Sequence, residues 1–260
     1  MADRAELVLV EHIDDVAVIS FNRPERHNAL NDEMGERWRD VLRKAIADTD
    51  VRCILLRGEG RSFSSGRDTS QLGMRVAGEP DLTFVRRHQA IRLETMAAPK
   101  PVVAAIKGFC LGGAFEIALS ADMRVASTDA LFAFPEVKYG LMADTGGTQL
   151  LTPLIGPSKS KYLHLTGERL DAQTALDWGV VDFLVPPDEL DGAALALARK
   201  LATAPPLAAA MIKQTVDQAW AATISTGIQM ELFGQVALFG GEEHRVTKAA
   251  ALEQLRAAKQ

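Results

Sequence analysis

The sequence predicts an α/β fold in which a layered domain of strands and helices is followed by a helical C-terminal region. Three observations lead to this prediction. At its start the chain has apolar patterns in the order strand, strand, helix, strand. Glycine-rich turns follow apolar runs at 58–68, 107–116 and 140–148. From Asp188 onward the chain is rich in alanine and almost wholly helical in pattern. With 260 residues and 47% hydrophobic content, it can form a sizeable core.

The first predicted element is a β-hairpin. Residues 6–12 and 16–21 are β-like apolar runs separated by a polar turn. A helix follows, with Asn28 or Asn31 as its N-cap and acids in its first turn. Its apolar face has helical spacing and comprises Leu30, Met34, Trp38, Val41, Leu42, Ala45 and Ile46. Residues 51–57 then form a short strand.

The middle of the chain alternates strands with polar turns. The turn at 61–68 ends the third strand, a common place for a site in an α/β sheet. Residues 69–98 have a loose helical pattern that suits either a pocket cover or a surface excursion. Further strands, with helices between them, are predicted at 102–106, 122–127, 131–134 and 180–185.

The C-terminal region is predicted to be a helical unit of its own. We place the boundary near residue 200, with a core domain at 1–200 and a helical region at 201–260. The helical region carries an apolar stripe formed by Trp220, Ile224, Ile228, Leu232 and Val236. Such a stripe must be buried on the chain's own core or on a neighbouring subunit.

Composition and charge argue against several functions. The net charge of −5 and an isoelectric point near 5.6 disfavour nucleic acid as the main partner. No apolar run predicts a membrane span, since the best candidate, 101–121, contains Lys107 and Glu116. The first ten residues are too charged for a secretory leader. Two cysteines, Cys53 and Cys110, form no disulfide framework, which favours the cytoplasm.

Three acids, Glu116, Glu136 and Asp144, each lie in or beside a turn that follows a β-like run. Burial in apolar surroundings raises the pKa of a carboxyl group, and two carboxyls in one dry pocket suit acid/base catalysis. Each acid alone could equally cap a helix. The five histidines have no metal-ligand spacing. Motifs for nucleotide hydrolysis, a nicotinamide cofactor or a serine nucleophile are missing from the sequence.

The glycine-rich turn at 107–116 is the segment around which a site is best predicted. Its paired glycines, Gly112 and Gly113, permit backbone conformations closed to other residues and let a ligand come close. Free N–H groups at the start of the following helix could stabilise a developing oxyanion, with Glu116 beside them. A tight turn whose acid complements the helix dipole explains the same residues at least as well.

Five segments of the chain carry a recognisable pattern. They are 22–31 (NRP…NALN), 62–68 (SFSSGRD), 108–122 (GFCLGGAFE…AD), 134–148 (FPE…GL…GGT) and 165–181 (LTGE…A…ALDWGVV). In their order and spacing they resemble the crotonase, or enoyl-CoA hydratase/isomerase, superfamily. One segment alone would be weak evidence, whereas five that run through most of the chain are specific.

The resemblance implies a spiral of β-β-α turns with a C-terminal helical region that builds trimers, often paired into hexamers. It implies an acyl-CoA thioester as substrate, no metal, and no cofactor beyond the coenzyme A that the substrate carries. The backbone N–H groups of Arg67 and Gly113 are expected to form the oxyanion hole for the thioester carbonyl. The residues expected to contact coenzyme A are Arg23, Arg26, Ser64, Ser65, Gly66, Asp68 and Gly112.

The resemblance also suggests roles for the acids. Glu116 and Glu136 fall at the positions of the catalytic glutamates of hydratases, Glu116 chiefly as the base for water and Glu136 as the acid at C2. The leading prediction is therefore a 2-enoyl-CoA hydratase. Asp144 resembles a residue of dienoyl-CoA isomerases, so a double-bond isomerase that uses Asp144 and Glu136 is the alternative. A non-catalytic acyl-CoA-binding relative, a hydrolase and a decarboxylase also stay open.

Overall fold

A six-stranded sheet is the main layer of the computed structural model, which describes residues 6–74 and 78–257. Numbered along the chain and given in spatial order, its strands are β1 (Val8–Ile13), β2 (Val16–Phe21), β3 (Cys53–Gly58), β4 (Val102–Ile106), β6 (Met123–Ser127) and β9 (Phe183–Val185). A smaller sheet contains β5 (Phe109–Leu111), β7 (Leu131–Ala133) and β8 (Leu170–Asp171).

Helices pack around the sheets or follow them. In the described ranges they are α1 (Asp32–Ala47), α2 (Asp81–Met96), α3 (Gly113–Ser120), α4 (Gly147–Ile155), α5 (Pro157–Thr166), α6 (Ala172–Asp177), α7 (Leu190–Ala202), α8 (Pro206–Asp217), α9 (Ile224–Phe239) and α10 (Glu242–Ala257). The α/β class and the initial order of strand, strand, helix, strand are thereby confirmed. The strand predicted at 180–185 is shorter than expected, because only its second half pairs with β6.

The topology of the main sheet brings the predicted turns together. β1 and β2 pair antiparallel, as the hairpin prediction required, and all other neighbours in this sheet run parallel. The turn after β3 therefore lies at the same edge as the segment that follows β4. A hydrogen bond of 2.7 Å from the Phe63 N–H to the Lys107 carbonyl joins the two.

The two candidate caps of α1 have different roles. Asn31 is the N-cap, since its Oδ1 accepts a 2.9 Å hydrogen bond from the Met34 N–H. Asn28 is fully buried, and its side-chain amide donates 2.7 Å and 3.2 Å hydrogen bonds to the carbonyls of Ser62 and Phe63. It therefore holds the turn after β3. Leu30 was wrongly predicted to lie on α1, which begins only at Asp32.

The central strands of the main sheet, β2, β3, β4 and β6, are buried on both faces. Alternate residues such as Ile54 and Leu56 face one core together with α1 and α3, while Leu55 faces a second core. Helix α7 covers that second face with Ala194 and Ala198, whose i, i+4 spacing permits close packing on the strands. A sheet covered on both sides accounts for the continuous apolar runs of its strands.

The loosely patterned segment at 69–98 contains a 3₁₀ turn, Thr69–Gln71, followed by α2. Residues 75–77, within that predicted segment, lie outside the described residues. Of the two uses considered for the segment, a pocket cover is the one that the structure shows, because Phe84, His88, Ile91 and Arg92 of α2 line a cavity.

The C-terminal helices leave a broad apolar surface open. Within the described chain, α9 and α10 bury none of their side chains fully. Trp220 is 74% exposed and Ile224 is 85% exposed, and the other stripe residues, Ile228, Leu232 and Val236, are also exposed. The stripe is thus not buried on the chain's own core. The domain boundary near residue 200 stays a prediction, and so does the assembly into trimers or hexamers. The two predicted ranges, 1–200 and 201–260, also include residues 1–5 and 258–260, which lie outside the described residues.

Among residues 6–74 and 78–257, no single helix is long and apolar enough to span a membrane. One bent pair of helices, Leu190–Ala202 with Pro206–Trp220, meets the criteria of length and composition when the two are taken together. The first of these helices is α7, whose apolar side packs on the sheet.

Candidate active site

A cavity of about 290 Å³ opens beside α3. Its lining contains all three acids singled out in the sequence, Glu116, Glu136 and Asp144. It also contains Arg67 and Gly113, the two residues whose N–H groups were expected to form an oxyanion hole. The structure therefore brings five residues from four separate turns to one place.

Two unpartnered backbone donors belong to this cavity. Gly113 is the first residue of α3, so its N–H has no partner within the helix. Arg67 forms an isolated β-bridge with Leu30. The two hydrogen bonds of this bridge involve the Gly66 carbonyl, at 2.8 Å, and the Asp68 N–H, at 2.9 Å, so the Arg67 N–H takes no part in them. Within the described ranges, neither N–H donates a hydrogen bond. The Arg67 guanidinium forms an ion pair with Asp32, 2.7 Å from Nη1 to Oδ1.

The turn that presents Arg67 is held rigidly. The buried Ser64 hydroxyl donates a 2.7 Å hydrogen bond to the Asn28 carbonyl and accepts a 3.1 Å hydrogen bond from the Gly66 N–H. A Cβ at Gly66, which has a φ of 84°, would lie 2.3 Å from the Leu111 carbonyl oxygen. Only glycine fits there, because the backbone of β5 approaches so closely.

The remaining residues expected to contact coenzyme A lie on or near this turn. Arg23 donates to Asp68 at 3.0 Å, which leaves its guanidinium engaged within the protein. Ser65 Oγ is 3.4 Å from the carbonyl of Arg26, whose side chain is exposed. The Gly112 N–H donates to the Ala133 carbonyl at 2.8 Å. Contact with coenzyme A stays a prediction for all seven residues.

Glu116 is a buried acid held by three donors. It is 1% exposed and lies in the first turn of α3. Its Oε1 accepts 2.8 Å hydrogen bonds from the N–H groups of Thr145 and Gly147, and the Thr145 hydroxyl donates to Oε2 at 2.6 Å. Oε2 thus has the fewer protein donors and is the oxygen better placed to accept from a further group.

Glu136 lies in a 3₁₀ turn, Pro135–Tyr139, directly against Gly112. Its Oε2 is buried and has no hydrogen-bond partner. Burial raises its pKa from 4.5 to about 7; a hydrogen bond from its own backbone opposes the shift, and the charges of Glu116 and Asp144 add to it. A carboxyl with this pKa can both hold and release a proton near neutral pH.

Asp144 does not turn away from the two glutamates. It lines the same cavity, and its charge acts on both Glu136 and Arg92. Its carbonyl oxygen accepts a 2.8 Å hydrogen bond from Gln89 Nε2, which ties its loop to α2. Three acids in one cavity make both water addition and proton transfer between carbon atoms chemically accessible.

Two residues of the site were not predicted from the sequence. Thr145 binds Glu116 with both its N–H and its hydroxyl. Arg92 of α2 is buried, lines the cavity and donates to the Gly113 carbonyl at 3.0 Å. A usable signal was present, because His88 at i−4 and Thr95 at i+3 share a helix face with Arg92, where a core side chain was to be expected.

We expect Glu136→Gln to stabilise the protein in a pH-dependent way. Because the folded protein binds the Glu136 proton more tightly than the unfolded chain, stability falls as the pH rises from 4.5 to about 7. Glutamine removes this titration, so the unfolding free energy of the variant, relative to that of the wild type, should rise by about 3 kcal/mol from pH 4 to pH 8. Denaturant unfolding at both pH values measures the gain. An equal difference at pH 4 and pH 8 would contradict the assigned shift.

The sequence of this chain is similar to those of known proteins along most of its length. The model of the family described as enoyl-CoA hydratase/isomerase matches residues 11–257. The 1,2-epoxyphenylacetyl-CoA isomerase of Escherichia coli is 34% identical over 227 residues, which are 86% of this chain and 87% of that protein. The short-chain-enoyl-CoA hydratase of Clostridium acetobutylicum is 34% identical over 250 residues, 95% of this chain and 94% of that protein.

Solved structures show the same likeness. The crystal structure of enoyl-CoA hydratase from Bacillus anthracis superimposes with a TM-score of 0.88 at 29% sequence identity. The superposition covers 96% of each chain, and it therefore includes both sheets and the C-terminal helices.

Proposed function

The chain belongs to the enoyl-CoA hydratase/isomerase family, the crotonase superfamily, and on that basis we propose that it is an enoyl-CoA hydratase. The proposed reaction is the syn addition of water across the C2=C3 bond of a 2-enoyl-CoA thioester. The fold supports the assignment, since solved hydratases share it along nearly the whole chain. The choice among the reactions of the family depends on the site.

The observation that carries the proposal is the pairing of Glu116 and Glu136 beside two unpartnered N–H groups in one cavity. The Arg67 and Gly113 N–H groups would donate hydrogen bonds to the thioester carbonyl oxygen. Their hydrogen bonds strengthen as negative charge develops there in the enolate-like transition state, and each such donor contributes about 3 kcal/mol in comparable sites.

The two glutamates suit complementary roles. Oε1 of Glu116 is held by two backbone donors, so Oε2 can orient a water molecule and take its proton as the oxygen attacks C3. Glu136, with its pKa near 7, would deliver a proton to C2. The carboxylate of Glu116 and the proton on Glu136 thus provide the base and the acid of one addition.

A second candidate function is double-bond isomerisation. It is favoured by one observation, the presence of Asp144 in the same cavity with its charge acting on Glu136. A carboxylate there could move a proton between two carbon atoms with Glu136 as its partner. The similarity to an isomerase, the 1,2-epoxyphenylacetyl-CoA isomerase of Escherichia coli, keeps this reaction in consideration.

Product analysis with three substrate types tests the proposal. We expect purified protein to convert crotonyl-CoA, or a longer 2-enoyl-CoA, to the 3-hydroxyacyl-CoA. 3-Enoyl-CoA and 3,5-dienoyl-CoA serve as the isomerase substrates in the same assay. If 2-enoyl esters of every chain length gave no 3-hydroxyacyl product while either isomerase substrate was converted, the second candidate would replace the first. No turnover of any ester would indicate an acyl-CoA-binding protein.

A further inference from the structure

Arg92 is a buried cation in the cavity. It is 8% exposed, its Nη2 donates to the Gly113 carbonyl at 3.0 Å, and its guanidinium carbon lies 5.2 Å from the centre of the Trp38 ring. Among residues 6–74 and 78–257, no carboxylate forms an ion pair or hydrogen bond with it. Burying a charge without a contacting counter-charge is unfavourable, so natural proteins seldom retain one without a use for it.

The charge on Arg92 is present at neutral pH. Burial lowers its pKa to about 10, while the negative charges of Glu116 and Asp144 act in the opposite direction. A guanidinium with this pKa is still protonated at pH 7. The cavity therefore contains a permanent positive charge next to the proposed reaction centre.

Unpartnered donors occur on Arg92 and on two other side chains that line the cavity. Arg92 Nε is buried and has no hydrogen-bond partner, and Nη1 donates to none of the described residues. Two further residues of the lining, Trp38 and Arg39, also have buried side-chain N–H groups without partners, at Nε1 and Nε. Three such side chains around one cavity require an explanation, because buried donors are nearly always paired in folded proteins.

Arg39 adds a second cation without a contacting acid. Its Nη2 donates to the Arg87 carbonyl at 2.9 Å, and no carboxylate of the described residues lies within ion-pair distance of it. Trp38 and Arg39 stand on α1 and Arg92 on α2, whereas the acids come from α3 and from the turns at 135–139 and 141–146. The donors thus stand on other elements than Glu116, Glu136 and Asp144, although two further acids of the lining, Asp32 and Glu36, are also on α1.

We propose that Arg92, assisted by Arg39 and Trp38, binds a carboxylate at the far end of the acyl chain, so that the preferred substrates are CoA esters of dicarboxylic acids. This inference rests on the proposed acyl-CoA substrate. A guanidinium matches a carboxylate in shape and charge and can bind both of its oxygens. An alkyl chain in the same place would leave the buried donors unpaired.

Binding of saturated esters tests the inference separately from turnover. Adipoyl-CoA and hexanoyl-CoA have the same chain length and differ in the terminal carboxylate. By titration calorimetry, the wild-type protein should bind adipoyl-CoA about 10- to 100-fold more tightly, the range expected for hydrogen bonds to a charged group. Equal affinities, or tighter binding of hexanoyl-CoA, would overturn this inference alone. If neither ester bound, the acyl-CoA site itself would be refuted.

Two arginine variants assign the preference to a residue. Arg92→Gln should weaken adipoyl-CoA binding about 10- to 100-fold and hexanoyl-CoA binding less than about threefold. Arg87→Gln is the matched control, since Arg87 lines the same cavity but its guanidinium pairs with Glu79 at 3.3 Å. The preference should survive in this control. Loss of affinity for both esters in Arg92→Gln, or equal effects of the two variants, would contradict the assignment. Should Arg92→Gln fail to fold, the wild-type comparison still decides.

Discussion

Glu136→Gln should lower kcat for hydration of a 2-enoyl-CoA about 1,000-fold, while Asp144→Asn lowers it less than about threefold. Glutamine keeps the size of the side chain and its place against Gly112, but it cannot deliver a proton to C2. The carboxyl group whose proton is lost has a buried Oε2 without a hydrogen-bond partner. Steady-state kinetics at pH 7, with the 3-hydroxyacyl product quantified, measure both effects.

Glu36→Gln serves as the control for a change of charge in the cavity. Glu36 lines the cavity, but it is exposed, and its Oε1 lies 3.9 Å from Arg87 Nη1. Its variant should keep kcat within about threefold of the wild type. If Asp144→Asn proved more damaging than Glu136→Gln, the reaction would be assigned to the isomerase. The expected loss of activity in Glu136→Gln accompanies a gain in stability, as is common where a site holds an acid in an unfavourable environment.

Gly112→Ala should lower kcat about 100-fold or more, because a Cβ there would displace Glu136, the proposed catalytic acid. The Cβ would lie 2.5 Å from Glu136 Oε1, well inside van der Waals contact. Gly112 also has a φ of 54° and a ψ of −126°, a region that other residues rarely adopt. The Glu136 carboxyl is the movable end of a side chain, so it shifts and the fold survives. The variant's kcat and its unfolding free energy are both to be measured.

Gly156→Ala distinguishes backbone strain from displacement of Glu136 as the cause of a loss of turnover. Gly156 has a φ of 79° and a ψ of 161°, which is equally unfavourable for alanine, but no atom lies within 4 Å of its added Cβ. Both variants should lose about 1 to 3 kcal/mol of stability through backbone strain. Only Gly112→Ala should lose turnover. Equal losses of kcat in the two variants would mean that strain, and not displacement of Glu136, controls activity.

Much of the site could be predicted because its residues lie in turns with strong local signals. Gly112 marks a turn that only glycine can form, because its φ is 54°. Gly113 begins the next helix, and Glu116 lies in its first turn. The parallel strands β3 and β4 then bring the turn with Arg67 to the same edge. The position of Asp144 could not be predicted in this way, because a loop residue faces a cavity or solvent according to tertiary contacts. One such contact is the hydrogen bond from Gln89 to the Asp144 carbonyl.

Helix α2 shows where sequence reasoning stops. A helix with one face on a core has a regular apolar stripe, and the spacing of that stripe identifies it. The inner face of α2 instead combines Ile91 with Arg92 and His88, because it covers a cavity that holds polar groups. Its periodicity is correspondingly weak. The polar residues that weaken the apolar periodicity of α2 include Arg92, which gives the cavity one of its unpaired donors.

The hydrogen bonds of Glu116 have a consequence for how the protein loses activity. By accepting from Thr145 and Gly147, this carboxylate caps the first turn of α4, which has no side-chain cap of its own. The proposed base therefore also connects α3 to the N-terminus of α4 through its hydrogen bonds. Fraying at the N-terminus of α4 would break the hydrogen bonds that orient Glu116, so the proposed active site would lose its geometry together with the helix end. Inactivation on heating would then follow the local opening of one helix end, at temperatures below those that melt the sheet.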